Sequence, residues 1–210
     1  NGATHGDEPE GPFSIFLALE QLDPQKMRGT VVAVPVMNVG AFMAGTRGDP
    51  LDTFSYDMNR VYPGRADGYP TERAAAAHWA AMQETADLQI ATHSGGEHSY
   101  LAHMIFASDN DVSRELAAAM GPNWTLVFSS PTGSGNPSSM VGGLGQGGIT
   151  VELGGNCRLL TSDFHAVATD LAESYLNVMR HYNMIDGKAA YARNWRQGHQ
   201  IALLAPASGM

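Results

Sequence analysis

The chain is organised around a stretch close to its first residue, Thr4-His5-Gly6-Asp7-Glu8-Pro9-Glu10-Gly11-Pro12. The imidazole of His5 and the carboxylate of Glu8 are three residues apart on a turn loosened by a glycine, so both can reach one cation. Zinc in catalytic sites is often held by two His and one Glu, with a fourth position left for water. A His-x-x-Glu pair is common by chance, so this stretch predicts a metal site only together with a second His. Asp7 and Glu10 are alternative carboxylates.

A second His follows an apolar run in Ile90-Ala91-Thr92-His93-Ser94-Gly95-Gly96. Ligands of open α/β sheets bind beyond the carboxyl ends of the strands. His93 therefore lies at the kind of strand-to-loop junction where a metal ligand is expected. His98 and His103 come soon afterwards, and we interpret them as loop and strand residues rather than as the third ligand.

Glu152 is the candidate for acid–base chemistry. It lies within Ile149-Thr150-Val151-Glu152-Leu153, which is typical of a buried strand, and two glycines follow. An acidic side chain is costly to bury there without a partner. A carboxylate in this position suits a group that takes a proton from water and later protonates a leaving amine. The alternative is a structural Glu satisfied by the glycine backbone that follows.

Four motifs occur together in one order along most of the chain. They are His5-Gly6-Asp7-Glu8, Asp57-Met58-Asn59-Arg60-Val61-Tyr62-Pro63-Gly64, His93-Ser94-Gly95 and Thr150-Val151-Glu152-Leu153-Gly154-Gly155. In this combination they resemble the succinylglutamate desuccinylase/aspartoacylase family, part of the wider zinc-carboxypeptidase-like group. The resemblance implies an amide-hydrolysing enzyme and does not specify its substrate.

The resemblance also implies roles for single residues. Glu8 matches the family's carboxylate ligand, so one Zn²⁺ per chain is expected on His5, Glu8 and His93. The arginine that polarises the scissile carbonyl together with zinc maps best onto Arg47. Glu152 matches the family's general base.

Asn59 and Arg60 are expected, by the same resemblance, to bind the carboxylate of the substrate. A guanidinium is a planar fork that can form two parallel hydrogen bonds with a carboxylate. The alternative for Arg60 is an ion pair with Asp57 or Asp52.

Two departures from the family pattern affect the expectations. Relatives usually carry Asp two residues before the second His ligand, where this chain has Ala91. Because carboxylates behind the ligands orient a metal-bound His, another group must do so or metal binding is weaker. Aspartoacylase also has an arginine shortly before the general base, and this arginine binds the acidic side chain of its substrate. In this chain, residues 129–151 contain no Lys or Arg. Specificity for N-acetylaspartate is therefore not expected.

Hydrophobic periodicity and turn residues predict an alternation of helices and strands. The predicted helices cover residues 12–22, 71–84, 111–120 and 163–184, and the predicted strands cover residues 30–37, 87–93, 124–128 and 149–153. Residues 38–70 and 129–148 are expected to be long loops. This alternation predicts an α/β fold, a three-layer sandwich around a mostly parallel or mixed sheet, and the resemblance specifies it as zinc-carboxypeptidase-like.

The 210 residues are enough for one sizeable core and few for two. We expect residues 1–198 to form a zinc hydrolase catalytic domain whose first strand is missing. Residues 199–210 are expected to begin a C-terminal β-domain that is cut off. The sequence is thus interpreted as a fragment of a longer protein.

The net charge of −9 argues against nucleic acid or an anionic membrane as a partner, because such contacts depend on Lys and Arg. No apolar run approaches the ~20 residues that span a bilayer. The single cysteine, Cys157, excludes an intrachain disulfide and is expected to be a small buried hydrophobe. The expected compartment is the cytoplasm, and homo-oligomerisation is left open.

The sequence thus favours a zinc-dependent deacylase that hydrolyses the amide bond of an N-acyl amino acid or a similar small amide. Its expected partner is that small-molecule substrate. Two alternatives remain. One is a metallocarboxypeptidase acting on peptides, and the other is a zinc-binding protein without catalytic activity, for which Ala91 is the only hint.

Overall fold

The computed structural model describes residues 1–54, 56–97, 99–133, 135–156 and 162–198. The strands are β1 (Leu88–His93), β2 (Tyr100–Ser108), β3 (Leu126–Ser130), β4 (Gly147–Gly155) and β5 (Arg196–Gly198). The helices are α1 (Glu10–Leu19), α2 (Val39–Ala44), α3 (Pro70–Thr85), α4 (Asp111–Ala119), α5 (Pro137–Gly143) and α6 (Ser162–His181), with a 3-10 helix at Met58–Arg60. The predictions for His98, for Cys157 and for residues 199–210 fall outside the described residues. No helix in the described ranges combines the length and apolarity needed to cross a membrane.

The five strands form one mixed sheet in the order β1-β4-β2-β3-β5. Strand β4 pairs in parallel with β1 and antiparallel with β2, while β3 is parallel to both β2 and β5. In the β1–β4 register His93 lies opposite Glu152. The two strands therefore bring a predicted metal ligand and the predicted general base to the same edge of the sheet.

Alternation along β4 separates the two faces of the sheet. Ile149, Val151 and Leu153 are buried in the main core with residues of α1, α4 and α6. On the other face, Thr150 donates a hydrogen bond to Ser138 of α5 at 3.1 Å. A second apolar cluster joins α3, α5 and the 3-10 helix on that side. Helices thus cover both faces, and the predicted three-layer α/β sandwich is confirmed.

The predicted strand at residues 30–37 is wrong. This segment is extended, but its backbone hydrogen bonds within the described residues, together with that of Asn38 after it, go to residues 2 and 3: Gly2 N to Val34 O at 3.0 Å, Met37 N to Gly2 O at 3.0 Å and Asn38 N to Ala3 O at 2.9 Å. Its burial is also incomplete, since Val32 is 78% exposed. Apolar, β-branched residues favoured a strand, but so short a partner segment does not make a ladder.

The two predicted loops contain helices that the sequence did not reveal. Residues 38–70 include α2 and the 3-10 helix, and residues 129–148 include α5. The α5 sequence is rich in Ser and Gly, which have low helix propensity. Its start is fixed by the Asn136 side chain, which accepts a hydrogen bond from Ser139 N at 2.8 Å. Packing against β4 overrides propensity here. The bounds of strand β2 were not predicted from the sequence either, although His103 was interpreted as a strand residue.

Candidate active site

A cleft of about 580 Å³ opens beside the carboxyl end of β1. Its lining includes all of the predicted site residues except His93, namely His5, Glu8, Arg47, Asn59, Arg60 and Glu152. His93 is buried directly behind them, 2.8 Å from Glu8. The structure thus brings together residues that are separated by up to 147 positions, from His5 to Glu152, in the sequence.

The side chains of His5, Glu8 and His93 form a compact buried trio. Glu8 Oε1 lies 2.8 Å from His5 Nδ1, and Glu8 Oε2 lies 2.8 Å from His93 Nδ1. The two Nδ1 atoms are 3.2 Å apart. Two imidazole nitrogens and one carboxylate facing each other are a donor set that Zn²⁺ commonly takes. These residues fit a metal ion. In the described part of the chain they are the group of His, Cys, Asp and Glu side chains whose ligand atoms lie close enough together to bind one.

A close backbone contact shapes the turn that carries His5 and Glu8. Gly6 N donates to Thr46 O at 2.9 Å. A Cβ atom at Gly6 would lie 2.0 Å from the carbonyl oxygen of Ala41 in α2. Any side chain at this position would push α2 away, so glycine is required for packing rather than for a loose turn.

The two alternative carboxylates of this stretch point elsewhere. Glu10 accepts from Ser94 Oγ at 2.7 Å and from Gly155 N at 2.8 Å, so it connects α1 to the ends of β1 and β4. Asp7 accepts from Glu97 N at 3.1 Å. Glu8 is the carboxylate that contacts both imidazoles, as the sequence analysis expected.

The trio is strongly coupled electrostatically. Burial lowers the pKa of His5, but hydrogen bonds to Asp57 and Glu8 outweigh burial and raise it to about 9. Burial raises the pKa of Glu8, but His93 and His5 outweigh burial and lower it to about 2. At neutral pH and without a metal ion, Glu8 is therefore ionised and the His5 imidazole is in its protonated, positively charged form. A metal ion must displace that proton, because a ligating His is neutral.

Glu152 faces the same cleft from β4. Its Oε2 atom is buried and has no hydrogen-bond partner in the described residues. Burial raises the pKa of Glu152 to about 7. A carboxyl group with a pKa near neutrality can both accept and return a proton, as general acid–base catalysis requires.

Arg47 and Asp57 form an ion pair at the rim of the trio. Arg47 Nη2 and Nε donate to Asp57 Oδ2 at 2.9 and 3.2 Å. Arg47 Nη1 lies 4.0 Å from Glu8 Oε1. The other carboxylate oxygen of Asp57, Oδ1, lies 2.9 Å from His5 Nε2.

Asn59 and Arg60 project from the 3-10 helix into the cleft. The Asn59 Oδ1 atom is buried and has no hydrogen-bond partner in the part of the chain described. Arg60 Nη1 donates to Asn59 O at 2.9 Å. The alternative for Arg60, an ion pair with Asp57 or Asp52, does not occur among the described residues. Asp57 pairs with Arg47 and His5, and Asp52 accepts a hydrogen bond from Thr71 N at 2.8 Å.

Asp57 is the site residue whose role the sequence analysis missed. It was weighed only as a structural partner of Arg60. In the sequence, the signal for this role is the position of Asp57 two residues before Asn59. In the structure, the Asp57 side chain accepts a hydrogen bond from Asn59 N at 2.9 Å. Asp57 supplies a carboxylate behind His5, but it does not replace the one expected behind His93 at position 91. His93 Nε2 is buried and has no hydrogen-bond partner among the described residues.

His103 lies outside the cleft, as the sequence analysis expected. It is on β2, and its Nε2 atom lies 2.6 Å from Asp170 Oδ2 of α6. The ring also packs edge-on against Trp124. These contacts make it a strand residue with its own polar partner.

Residues 1–181 match the family described as the succinylglutamate desuccinylase/aspartoacylase catalytic domain. The chain is 36% identical over 95 residues to the N-alpha-acetyl-L-2,4-diaminobutyric acid deacetylase of Halomonas elongata, covering 45% of this chain and 27% of that protein.

Two solved structures are similar over nearly the whole chain. The product-bound ectoine utilization protein EutE (DoeB) from Ruegeria pomeroyi is 28% identical with a TM-score of 0.75, covering 96% of this chain and 61% of that one. A succinylglutamate desuccinylase from a Silicibacter species is 26% identical with a TM-score of 0.75, covering 93% and 59%. The chain spans less than two thirds of the length of each of these relatives.

Proposed function

This chain belongs to the succinylglutamate desuccinylase/aspartoacylase family, and on that premise we propose that it hydrolyses the amide bond of an N-acyl amino acid with one Zn²⁺ ion. The observation that carries the proposal is the convergence of His5, Glu8 and His93 at a cleft that Glu152 lines. The reaction adds one water molecule across the amide bond. The acyl carbon gains a hydroxyl oxygen to become a carboxylic acid, and the nitrogen leaves as a free amine.

His5, Glu8 and His93 would hold the metal ion. A bound Zn²⁺ supplies Lewis-acid chemistry, polarising a carbonyl oxygen and increasing the acidity of water. The protein residues contribute a preformed donor set: their three side chains already face each other at 2.8 to 3.2 Å.

Glu152 would move the protons. In its ionised form it takes one proton from the attacking water, and in its protonated form it returns that proton to the departing nitrogen. Both forms are accessible near neutral pH because burial raises its pKa to about 7. Its unpartnered, buried Oε2 atom leaves one oxygen available for this exchange.

Three further residues would bind the substrate. Arg47, whose Nη1 atom lies 4.0 Å from Glu8 Oε1, would stabilise the negative charge that develops on the carbonyl oxygen. Asn59 and Arg60 would bind the α-carboxylate, Arg60 through its guanidinium fork. Both residues line the cleft.

Two features of charge support a preference for substrates with neutral or basic side chains. Residues 129–151 contain no Lys or Arg. Glu97 adds an exposed carboxylate to the cleft lining. The Halomonas elongata relative is named for N-alpha-acetyl-L-2,4-diaminobutyric acid, whose side chain carries an amine. This compound is therefore the first substrate to test.

The proposal is tested by assaying the purified, Zn²⁺-loaded protein against a panel of N-acetyl amino acids and blocked dipeptides. We expect release of acetate from neutral and basic N-acetyl amino acids, and loss of activity after chelation with recovery on adding Zn²⁺. Turnover of the dipeptides alone would indicate a metallocarboxypeptidase. Stoichiometric Zn²⁺ without hydrolysis of any compound would indicate a binding protein and contradict the proposal.

N-acetylaspartate provides a specific comparison within this panel. The loss of a charge-assisted hydrogen bond costs roughly 1.5–3 kcal/mol. Because no cation is available in residues 129–151 for the second carboxylate, kcat/KM for N-acetylaspartate should be at least about tenfold below that for N-acetylmethionine. If N-acetylaspartate is the best substrate, the uncharged segment does not determine the substrate preference, and a cation from elsewhere in the protein must bind the second carboxylate.

A further inference from the structure

We propose that Glu97 determines the side-chain preference of the cleft by binding the ammonium group of a substrate with a basic side chain. The substrates would then be N-acyl diamino acids, which carry an α-carboxylate and a side-chain amine besides the amide bond. This inference rests on the function proposed above and makes its substrate class more specific. It assigns a role to a carboxylate that neither metal binding nor proton transfer uses.

Most charged side chains of the cleft already have partners within the site. Glu8 contacts both imidazoles, and Arg47 is paired with Asp57. Glu97 and Arg60 are a carboxylate and a guanidinium that also line the cleft, and both side chains are exposed. Among the described residues, no ion pair joins either of these two side chains to an opposite charge.

Two opposite charges that share a cleft without neutralising each other complement a ligand that carries both charges. With its α-carboxylate on Arg60, a substrate with a basic side chain would place its ammonium group on Glu97. Hydrogen bonds between an ammonium group and a carboxylate are roughly twice as strong as neutral ones. A neutral side chain gains no such contact, and an acidic side chain is repelled by Glu97.

The backbone that carries Glu97 is held beside the turn of the metal ligands. Glu97 N donates to Asp7 Oδ2 at 3.1 Å. The preceding residue, Gly96, has a φ of 57°, and a Cβ atom there would lie 2.4 Å from the same Asp7 oxygen. Gly95 N donates to Gly154 O, near the end of β4, at 3.1 Å. The place of Glu97 in the cleft is therefore set by its backbone, while its side chain remains exposed to a ligand.

The competing explanation is that the net charge of −9 attracts cationic substrates from a distance, without a role for any one residue. Glu84 is the matched control, because it is an exposed Glu on α3 that does not line the cleft. Glu84→Gln and Glu97→Gln change the net charge by the same amount. A long-range effect predicts equal losses in the two variants, whereas direct binding predicts a loss only in Glu97→Gln.

The experiment compares hydrolysis of N-alpha-acetyl-L-2,4-diaminobutyric acid and N-acetylnorvaline by Zn²⁺-loaded wild type, Glu97→Gln, Glu97→Lys and Glu84→Gln. The two side chains have the same length, and an ammonium group in one replaces a methyl group in the other. We expect the ratio of their kcat/KM values to fall about tenfold in Glu97→Gln, mainly through KM of the amine, which corresponds to about 1.4 kcal/mol. Glu97→Lys should lower the ratio further because like charges repel, and Glu84→Gln should keep the wild-type ratio. Thermal unfolding of each variant is the folding control.

Salt dependence supplies a second readout, which a merely structural role of Glu97 would not change. Raising the ionic strength from about 0.01 M to about 1 M shortens the screening length from about 30 Å to about 3 Å. The preference of the wild type for the amine should decline over this range. Glu97→Gln should show little decline, because it lacks the charge that is screened.

The proposal is overturned if the wild type does not prefer the amine, or if folded Glu97→Gln keeps the wild-type ratio within about threefold. Equal losses in Glu97→Gln and Glu84→Gln would overturn it in favour of long-range charge. If the wild type hydrolyses neither compound, the proposed function fails separately. Calorimetric binding of the two compounds to wild type and Glu97→Gln then tests Glu97, and an equal affinity ratio in the two proteins, or no binding at all, overturns the inference.

Discussion

The cleft has a metal half, formed by His5, Glu8 and His93, and a substrate half, formed by Arg47, Asn59 and Arg60. The two halves differ in how their side chains are fixed in place. In the metal half the side chains of His5, Glu8 and His93 are only 2–4% exposed, and their backbone is anchored by the sheet and by Glu10. The substrate half lies on the segment between α2 and α3, where the Arg47 side chain is 44% exposed. One half is buried and held from several sides, whereas the other is exposed and held by a few polar contacts. Substitutions in the two halves should therefore have separable effects.

The largest expected effect comes from breaking the metal half itself. His5→Ala and His93→Ala each leave two ligands, which bind Zn²⁺ poorly. We expect metal analysis after dialysis to find less than about a tenth of the wild-type Zn²⁺ content, with hydrolysis lost in parallel. Arg60→Ala is the control from the other half and should retain its metal. Unchanged Zn²⁺ in both His variants would contradict the ligand assignment.

A second test separates catalysis from metal binding next to the metal half. Glu152→Gln keeps the shape of the side chain but removes its capacity to accept a proton. General acid–base catalysis contributes about 10²–10⁴-fold, so kcat should fall by that factor while the Zn²⁺ content stays at the wild-type level. Activity within about threefold of wild type would assign the proton transfer to another residue.

The substrate half should respond through substrate binding instead. Arg60→Ala removes a charge-assisted hydrogen bond worth roughly 1.5–3 kcal/mol, or about 10–150-fold in kcat/KM. Masking the α-carboxylate of the substrate as an amide should produce a similar loss in the wild type and little further loss in Arg60→Ala. Additive losses would show that Arg60 does not contact that carboxylate.

The smallest expected effect is on the free energy of unfolding of the metal-free protein. It tests the consequence of burying Glu152. The folded-state pKa of Glu152 is raised to about 7, above the unfolded value of 4.5, so the folded state holds its proton more tightly. The stability contributed by this proton is present below the unfolded pKa and is lost as the pH rises through about 7. Glu152→Gln should therefore raise the free energy of unfolding by about 1–3 kcal/mol at about pH 8, and much less at about pH 5.

Denaturant unfolding at the two pH values checks this prediction, with Glu97→Gln as the exposed control. Glu97 is solvent-exposed, so its replacement should change stability little at either pH. An equal gain for Glu152→Gln at both pH values would mean that ionisation of Glu152 is not the cause.

Prediction from sequence was most successful where a local pattern and burial agree. Strands 87–93 and 149–153 and helix 163–184 were recognised because apolar periodicity reflects packing on the sheet, and their counterparts are β1, β4 and α6. The strand predicted at residues 30–37 failed because a strand also needs a partner, which an apolar run cannot specify. Helix α5 was missed because its stability comes from contact with β4 rather than from helix propensity.

The residue types in the cleft and the order of the motifs that carry them could be read directly from the sequence. It also determined the negative charge and the absence of cations in residues 129–151. The resemblance pointed to Glu8, and the structure shows that Glu8, rather than Asp7 or Glu10, contacts both imidazoles. The pairing of Asp57 with His5 and Arg47 became visible only in the structure. Hydrogen-bond partners in this site come from segments as far apart as Glu8 and His93, 85 positions along the chain, so their pairing depends on how the layers pack.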